Sequence, residues 1–317
     1  MSSTAALTDW FARRTFATAD LDLEQLVAAK RDTGTTVSLV LPARNEASTI
    51  TGVVASGMAL LGRLVDEVVV LDGASTDGTA ELAATAGAVV HQDADIVPEV
   101  GPTLGKGDAL WRSLRVTSGD IVAFVDTDIR NPDPGFVWGI VAPLLLEARI
   151  DFVKAFYDRP IEAAGTLQAS GGGRVTELMA RPLLNLFWPA LAGLVQPLAG
   201  EYAGRRAVLE QIPFFTGYGV EIGLLIDILA LRGADGIAQV DVGRRVHRNQ
   251  DLHDLSRMAY AIATVALGRL AAAQRAAFAH AFDPRYVQFG RSAEGRIALD
   301  PRAVGDVERP PMATLPR

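Results

Sequence analysis

An α/β fold built on a mainly parallel sheet with helices on both faces is what this sequence predicts, and three observations predict it. Short apolar runs alternate with amphipathic helical stretches from residue 36 to about residue 150. Several runs hand over directly to polar, glycine-bearing segments, as strand ends facing a crevice do. One run, Ile121-Val122-Ala123-Phe124-Val125, passes straight into Asp126-Thr127-Asp128. That arrangement sets two carboxylates at the carboxyl end of a strand, where open α/β sheets bind ligands.

Taken in order, residues 1–35 read as an N-terminal arm with one helical piece near Leu21–Ala29. Val37–Leu41 reads as a buried strand, and Ser48–Leu61 as a helix for which Ser48 is available as N-cap. Glu67–Leu71 and Thr76–Ala86 repeat the strand–helix pair, Ala88–His91 is a third strand, Lys106–Val116 a helix and Ile121–Val125 a strand. Beyond residue 150 the rhythm loosens. Phe152–Phe156 reads as a strand and Ala163–Gly173 as a small, glycine-rich loop. Val175–Leu186 and Val220–Leu231 read as helices, Ile237–Val242 as a strand and Leu252–Ala279 as a long Ala-rich helix. The tail from Asp283, rich in Pro and Arg, is expected to wrap the surface or a partner subunit.

Composition narrows the function. With 317 residues, 49% of them hydrophobic and 21% charged, the chain can bury a substantial core and is not disordered. A formal net charge of -7 leaves no basic footprint for nucleic acid. The absence of cysteine excludes disulfides, Fe–S clusters and thiolate zinc sites, and fits a reducing cytoplasm. Met1–Asp22 lacks the apolar core of a signal peptide. Pro182–Gly200 carries no charge, but Pro182, Pro189 and Pro197 break it and Asn185 and Gln196 interrupt it. It is read as core or subunit interface, not a stable membrane span, and with the Ala-rich helix it is compatible with a homodimer.

The residues that carry chemistry lie at the strand ends. Carboxylates such as Asp126 and Asp128 are hard ligands suited to Mg²⁺ or Mn²⁺, which could hold a nucleotide diphosphate; a helix N-cap is the plainer alternative. The first strand ends in Pro42-Ala43-Arg44-Asn45-Glu46 and the second in Asp72-Gly73-Ala74-Ser75-Thr76. Asn45, Glu46 and Asp72 can meet a base or ribose, and small residues such as Gly73 let a planar base approach; a turn before a capped helix would use the same residues. Lys106, between two glycines at a helix start, suits a phosphate or a base carbonyl. His247 sits in the basic run Arg244–Asn249 of an acidic protein, which asks for an anionic partner, and an imidazole can complete a carboxylate metal site. Gly171-Gly172-Gly173-Arg174-Val175-Thr176 offers backbone N–H groups and a guanidinium to an anion. Glu221 can accept from sugar hydroxyls or simply favour the first turn of its helix.

In this order, PARNEA, LDGASTDGT and VDTD resemble the nucleotide-sugar-binding half of a GT-A glycosyltransferase. GKGDALWRSL (105–114), GGGRVTELMARPLL (171–184), QPLAGEYAGRR (196–206), GYGVEIGLLID (217–227) and VGRRVHRNQ (242–250) narrow the match. Together they resemble the actinobacterial glucosyl-3-phosphoglycerate synthase family, which also contains mannosyl-3-phosphoglycerate synthases. The resemblance covers about residues 37–260 and the ERPPM near the end.

The resemblance implies a Rossmann-like GT-A fold divided into a nucleotide-sugar half over residues 36–150, a more helical acceptor half over 151–282 and a tail over 283–317. It implies a retaining, metal-dependent hexosyl transfer to the 2-hydroxyl of 3-phosphoglycerate. Asp128 and His247 would ligate Mg²⁺ or Mn²⁺. Pro42, Ala43, Arg44, Asn45, Glu46, Gly73, Lys106, Asp126, Thr127, Tyr218, Gly219, Val220, Glu221, Arg245 and Arg248 would meet the nucleotide sugar. Gly173, Arg174, Val175, Thr176 and Asn249 would meet the acceptor, and Glu221, Arg245 and Asp128 would carry catalysis. The sequence departs from the family at Arg44 and Gly73, where relatives carry Leu and Ser, so UDP and GDP both stay open as the nucleotide. UDP-glucose is the expected donor. GDP-mannose, or a polyprenyl-phosphate acceptor, are the alternatives.

Overall fold

The computed structural model describes residues 4–158, 161–163, 166–168, 173–246, 252–278, 282, 285–291 and 297–316. Strands in chain order are β1 Thr15–Ala17, β2 Val37–Ala43, β3 Glu67–Asp72, β4 Val89–Gln92, β5 Ile121–Phe124, β6 Phe152–Asp158, β7 Ile161–Ala163 and β8 Thr166–Gln168. They continue with β9 Tyr202–Arg205, β10 Phe214–Phe215, β11 Ile237–Arg244, β12 Arg285–Arg291, β13 Ile297–Ala303 and β14 Glu308–Arg309. The α-helices are α1 Thr4–Arg14, α2 Leu23–Thr33, α3 Ile50–Met58, α4 Thr79–Thr85, α5 Lys106–Val116, α6 Pro134–Leu146, α7 Arg181–Phe187, α8 Arg206–Leu209, α9 Val220–Arg232 and α10 Leu252–Ala272.

The central sheet has the order β1-β11-β6-β9-β5-β2-β3-β4. Every neighbouring pair is parallel except those that β9 makes with β5 and β6. Strands covered on both faces become continuous apolar runs, and β2, β3 and β5 are buried almost throughout. One core, with Leu110, Trp111, Phe124, Phe152 and Tyr202, fills the face under α5 and α9. The other, with Leu39, Val54, Val70, Ile140 and Val153, lies under α3 and α6.

Several sequence expectations shift. Thr49, not Ser48, stands at the N-cap of α3, and its side chain makes no capping bond. Gly78 in the left-handed region delays α4 to Thr79. The N-terminal stretch is integral to the sheet, because β1 pairs in parallel with β11 at its edge. Part of the expected 163–173 loop is a short hairpin of β7 and β8. Pro182–Gly200 divides between α7 and a 3-10 turn at Pro189–Leu191. Leu184, Trp188, Leu191 and Leu194 of that stretch are core residues. Among the described residues no helix is long and apolar enough to cross a membrane. The tail forms the β12–β13 hairpin and then returns to pair β14 with β10.

Helix α5 is set against β10 at glycine distance. A Cβ on Gly107 would stand 1.9 Å from the Phe215 carbonyl oxygen and 2.9 Å from Val220 Cβ. Because backbone must yield, Gly107→Ala should destabilise the fold by about 1–3 kcal/mol. Urea denaturation should read this as a lowered midpoint with an unchanged slope.

Candidate active site

Parallel strands deliver their carboxyl ends to one edge of the sheet, and the first two loops there are bonded to each other. Asn45 N–H donates to Ser75 Oγ (2.9 Å), and Asn45 Oδ1 accepts from Thr76 N–H (2.9 Å). Glu46 N–H donates to Thr79 Oγ1 (2.8 Å), Ala47 N–H to Asp77 Oδ2 (3.1 Å) and Gly73 N–H to the Ala43 carbonyl (2.8 Å). Asn45 and Ala74 hold φ of +56° and +54°, a conformation non-glycine residues rarely adopt and one that clusters at binding sites. The Asn45 side chain is therefore part of the loop's own frame. Asp72 is buried; Oδ2 accepts from Ser75 N–H and Gln92 Nε2 (3.0 Å each), while Oδ1 has no partner. A buried acceptor left open beside these loops suits a ligand N–H or O–H. At Gly73 a Cβ would find only ordinary contacts, at 3.5 Å from Ala43 O, Arg44 Cβ and Asp93 Oδ2.

The charged cluster forms one strand further along. Because β9 runs against its neighbours, its beginning, not its end, reaches the same edge, and it brings Glu201 and Tyr202 beside Asp126. Lys106 Nζ lies 2.5 Å from Asp126 Oδ1 and 3.2 Å from Glu221 Oε1. Arg245 Nη2 spans Asp126 Oδ2 (3.2 Å) and Asp128 Oδ1 (2.5 Å). Its Nη1 donates to Tyr157 Oη (2.7 Å) and pairs with Glu201 Oε1 (3.2 Å). Thr127 is buried and its hydroxyl donates to the Pro42 carbonyl (2.8 Å), so it ties the segment after β5 to the end of β2. Gly200 leaves the space for Asp126: a Cβ there would stand 2.0 Å from Oδ2.

Burial opposes ionisation of Asp126, yet the charges of Lys106 and Arg245 prevail and hold its carboxyl well below the usual range. Burial likewise opposes the Lys106 ammonium, but Asp126 and Glu221 hold it well above its ordinary value. Glu201 is pushed up by burial against the pull of Arg245. Beneath the cluster Lys154 is buried, donates to the Ala199 carbonyl and lies over the Tyr202 ring, 4.3 Å from its centroid. Burial pulls its ammonium down to about 7, with Glu221 opposing.

The structure thus gathers Pro42, Ala43, Arg44, Asn45, Glu46, Gly73, Lys106, Asp126, Thr127, Asp128, Glu221 and Arg245 at the carboxyl edge. Arg245, expected to face the diphosphate or donor sugar, is buried in contact with the acidic cluster. Tyr218, half exposed, and Gly219 lead into the first turn of α9 that carries Val220 and Glu221. Gly173 (φ +82°) and exposed Arg174 open a wide π-type turn at Thr176–Ala180, packed on α10, while Val175 and Thr176 face inward. His247, Arg248 and Asn249 lie outside the described residues. Sequence reasoning assigned no role to Glu201, Tyr202, Tyr157 or Lys154. Glu201 and Tyr202 stand in the QPLAGEYAGRR segment, but only the reversed strand explains why they matter.

Asp128 offers a hard carboxylate whose side chain is about one-third exposed, which fits Mg²⁺ or Mn²⁺. Among the described residues no group of three or more His, Cys, Asp or Glu side chains gathers for a metal. A cation held there would draw its remaining ligands from elsewhere, a diphosphate included.

Comparison with known proteins places this geometry. The glycosyl transferase family 2 model matches residues 38–158. The chain is 45% identical over 298 residues to glucosyl-3-phosphoglycerate synthase of Petrotoga mobilis, covering 93% of this chain and 91% of that protein. It superimposes on mannosyl-3-phosphoglycerate synthase from Rubrobacter xylanophilus with a TM-score of 0.91 at 42% identity, covering 98% of this chain and 100% of that one. It also matches glucosyl-3-phosphoglycerate synthase from Mycobacterium tuberculosis in complex with Mn²⁺, UDP-glucose and phosphoglyceric acid. There the TM-score is 0.80 at 44% identity, covering 93% of this chain and 95% of that one.

Lys154 gives a stability signature. Its folded value of about 7 lies below the ordinary 10.5, so between those values the unfolded chain holds more proton. Stability contributed by this group therefore rises with pH across that window. Lys154→Met should remove the rise. From about pH 6.5 to about pH 10 the urea midpoint of the wild type should climb relative to that of Lys154→Met; a constant difference would mean that Lys154 does not titrate there.

Proposed function

The chain belongs to the glucosyl-3-phosphoglycerate synthase family, and from that premise we propose that it moves glucose from UDP-glucose to the 2-hydroxyl of 3-phosphoglycerate. The observation that carries this reading is the meeting of Asp126, Asp128, Lys106, Glu221 and Arg245 at the carboxyl edge of the sheet. Cations and carboxylates alternate there in a way that suits a diphosphate on one side and sugar hydroxyls on the other. A chain without cysteine is compatible with a cytoplasmic setting, which we propose with it.

The uridine would lie against Pro42–Glu46 and Gly73, with the open Oδ1 of Asp72 as an acceptor at the back of the pocket. Asp128, with His247 by resemblance, would hold Mg²⁺ or Mn²⁺, which when bound offsets negative charge on the leaving diphosphate. Lys106 and Arg245 supply fixed positive charge beside the same group, already oriented by Asp126, Glu201 and Tyr157. Glu221 accepts from hexose hydroxyls and sets the ring. Arg174, exposed at the mouth of its turn, meets the phosphate or carboxylate of the acceptor. Attack takes place on the face that the diphosphate leaves, and a diphosphate oxygen takes the proton of the acceptor hydroxyl. A glycosyl adduct trapped on Glu221 would replace this front-face course with a covalent one.

One observation favours a second reading: the close superposition on a mannosyl-3-phosphoglycerate synthase. Nucleoside-diphosphate release from UDP-glucose, GDP-glucose and GDP-mannose, each with and without 3-phosphoglycerate, separates the two. Release from UDP-glucose that requires 3-phosphoglycerate is the expected result. Preference for GDP-mannose would establish the second reading, and release independent of 3-phosphoglycerate would remove the acceptor assignment.

Arg174→Ala removes one charge-assisted contact, worth about 1.5–3 kcal/mol. The KM for 3-phosphoglycerate should rise roughly tenfold to a hundredfold, with the donor KM unchanged. A raised donor KM with an unaltered acceptor KM would take Arg174 out of the acceptor site.

A further inference from the structure

The C-terminal segment, expected only to wrap the surface or a partner subunit, reaches the residues that lead into α9. Asp306 Oδ2 accepts from Gly219 N–H at 2.7 Å. A Cβ on Gly217 would stand 2.1 Å from Asp306 Oδ1, and one on Gly219 would stand 2.7 Å from Oδ2. Both glycines of Gly217-Tyr218-Gly219 are thus the seat of this carboxylate, and the next helical residues are Val220 and Glu221. The neighbouring chain is fastened too: Val307 N–H donates to Thr216 Oγ1, and Thr216 N–H to the Val307 carbonyl, each at 3.0 Å. Thr216 in turn accepts from Asp108 N–H at 3.2 Å, and Arg309 bonds the Asp108 carboxylate at 3.0 and 2.7 Å. Asp108 belongs to the first turn of α5, which carries Lys106. The tail therefore braces the two segments that present Lys106 and Glu221 to each other.

We propose that Asp306 is a positioning residue for the donor sugar: by seating Gly217-Tyr218-Gly219 on its carboxylate it fixes the first turn of α9 and hence the aim of Glu221 and Tyr218. The proposal rests on the reading that Glu221 faces the hexose. The bond is kept against opposition, since burial and the nearby charge of Glu221 push the Asp306 carboxyl up to about 6, while Gly219 and Gly217 N–H groups pull it down. A staple serving only to tie down the tail would have no need to sit beside a like charge.

The test uses the full chain and the variants Asp306→Ala and Asp306→Asn. For Asp306→Ala, UDP-glucose should lose roughly tenfold in kcat/KM and in affinity measured calorimetrically with Mn²⁺. The affinity for UDP alone and the KM for 3-phosphoglycerate should stay as in the wild type. Asp306→Asn, which keeps an acceptor oxygen for Gly219 N–H, should recover most of the loss. Equal losses for UDP-glucose, UDP and 3-phosphoglycerate, or no loss at all, would overturn the proposal and leave Asp306 a staple. If the alanine variant does not fold, Asp306→Ser, which withdraws the carboxylate but stays polar, decides by the same comparison. The UDP-glucose to UDP affinity ratio does not depend on turnover, so a failure of the acceptor reading would show in the wild type and leave this test intact.

Discussion

Ionisation of Asp126 in a half-closed site is the condition on which this active-site architecture depends. A carboxylate there is unfavourable unless cations meet it, and two do, from opposite sides and from distant parts of the chain. Lys106 arrives on α5 and Arg245 just beyond β11, while Gly200 withdraws every side-chain atom from the space the carboxylate occupies. Each cation then has a second obligation, Lys106 to Glu221 and Arg245 to Asp128 and Glu201. Ion pairs of this kind contribute little net stability, but removing one partner leaves an uncompensated charge. The network is better understood as a device that fixes directions: it aims cations and acceptors at one place before any substrate arrives.

The reversed strand makes that device feasible. In a wholly parallel sheet the residues next to Asp126 on its other side would come from a strand end followed by a loop. By running backwards, β9 instead offers the rigid start of a strand: Tyr202 is held in register between Phe124 and Lys154, and Glu201 just before it accepts at its carbonyl from Ala155 N–H. Tyr202 packs between the Phe124 and Phe152 rings at 5.2 and 5.4 Å. The polar network therefore stands on an aromatic floor, which restricts side-chain rotation.

Much of this could be read without coordinates, and what could not has physical causes. Strands covered on both faces announce themselves as apolar runs, so β2, β3 and β5 and the loops that follow them were legible, as were Lys106 and Asp126–Asp128. Helix α5 matched from end to end because its amphipathic period is strong and Gly105 marks its start. Helix α6 was silent: Pro134–Leu146 is apolar on nearly every side and contains Pro143, so no period appears. Strand β9 was silent for the opposite reason, since Tyr-Ala-Gly-Arg has neither length nor alternation. Glu201, Lys154 and Asp306 could not be found by pattern, because their significance lies in what they meet across the sheet or from the tail. The segment containing Arg174 and the one containing His247 were singled out by composition and by resemblance, a different kind of warrant from geometry.

The edge strand β1 has a consequence for how the molecule comes into being. Thr15 lies beside Gln239, and their side chains are bonded across 224 positions of sequence. Trp10 reaches as far, donating to the Ala234 carbonyl. At ribosomal speeds of roughly 5–20 residues per second, the first strand waits on the order of 10–40 s for its neighbour to be synthesised. During that interval β1 has no neighbouring strand to pair with, because its partner β11 is the last strand of the central sheet to be made. The polypeptide must close a circle from its beginning to its last central strand, a pairing of high sequence separation whose loop-closure entropy is met late.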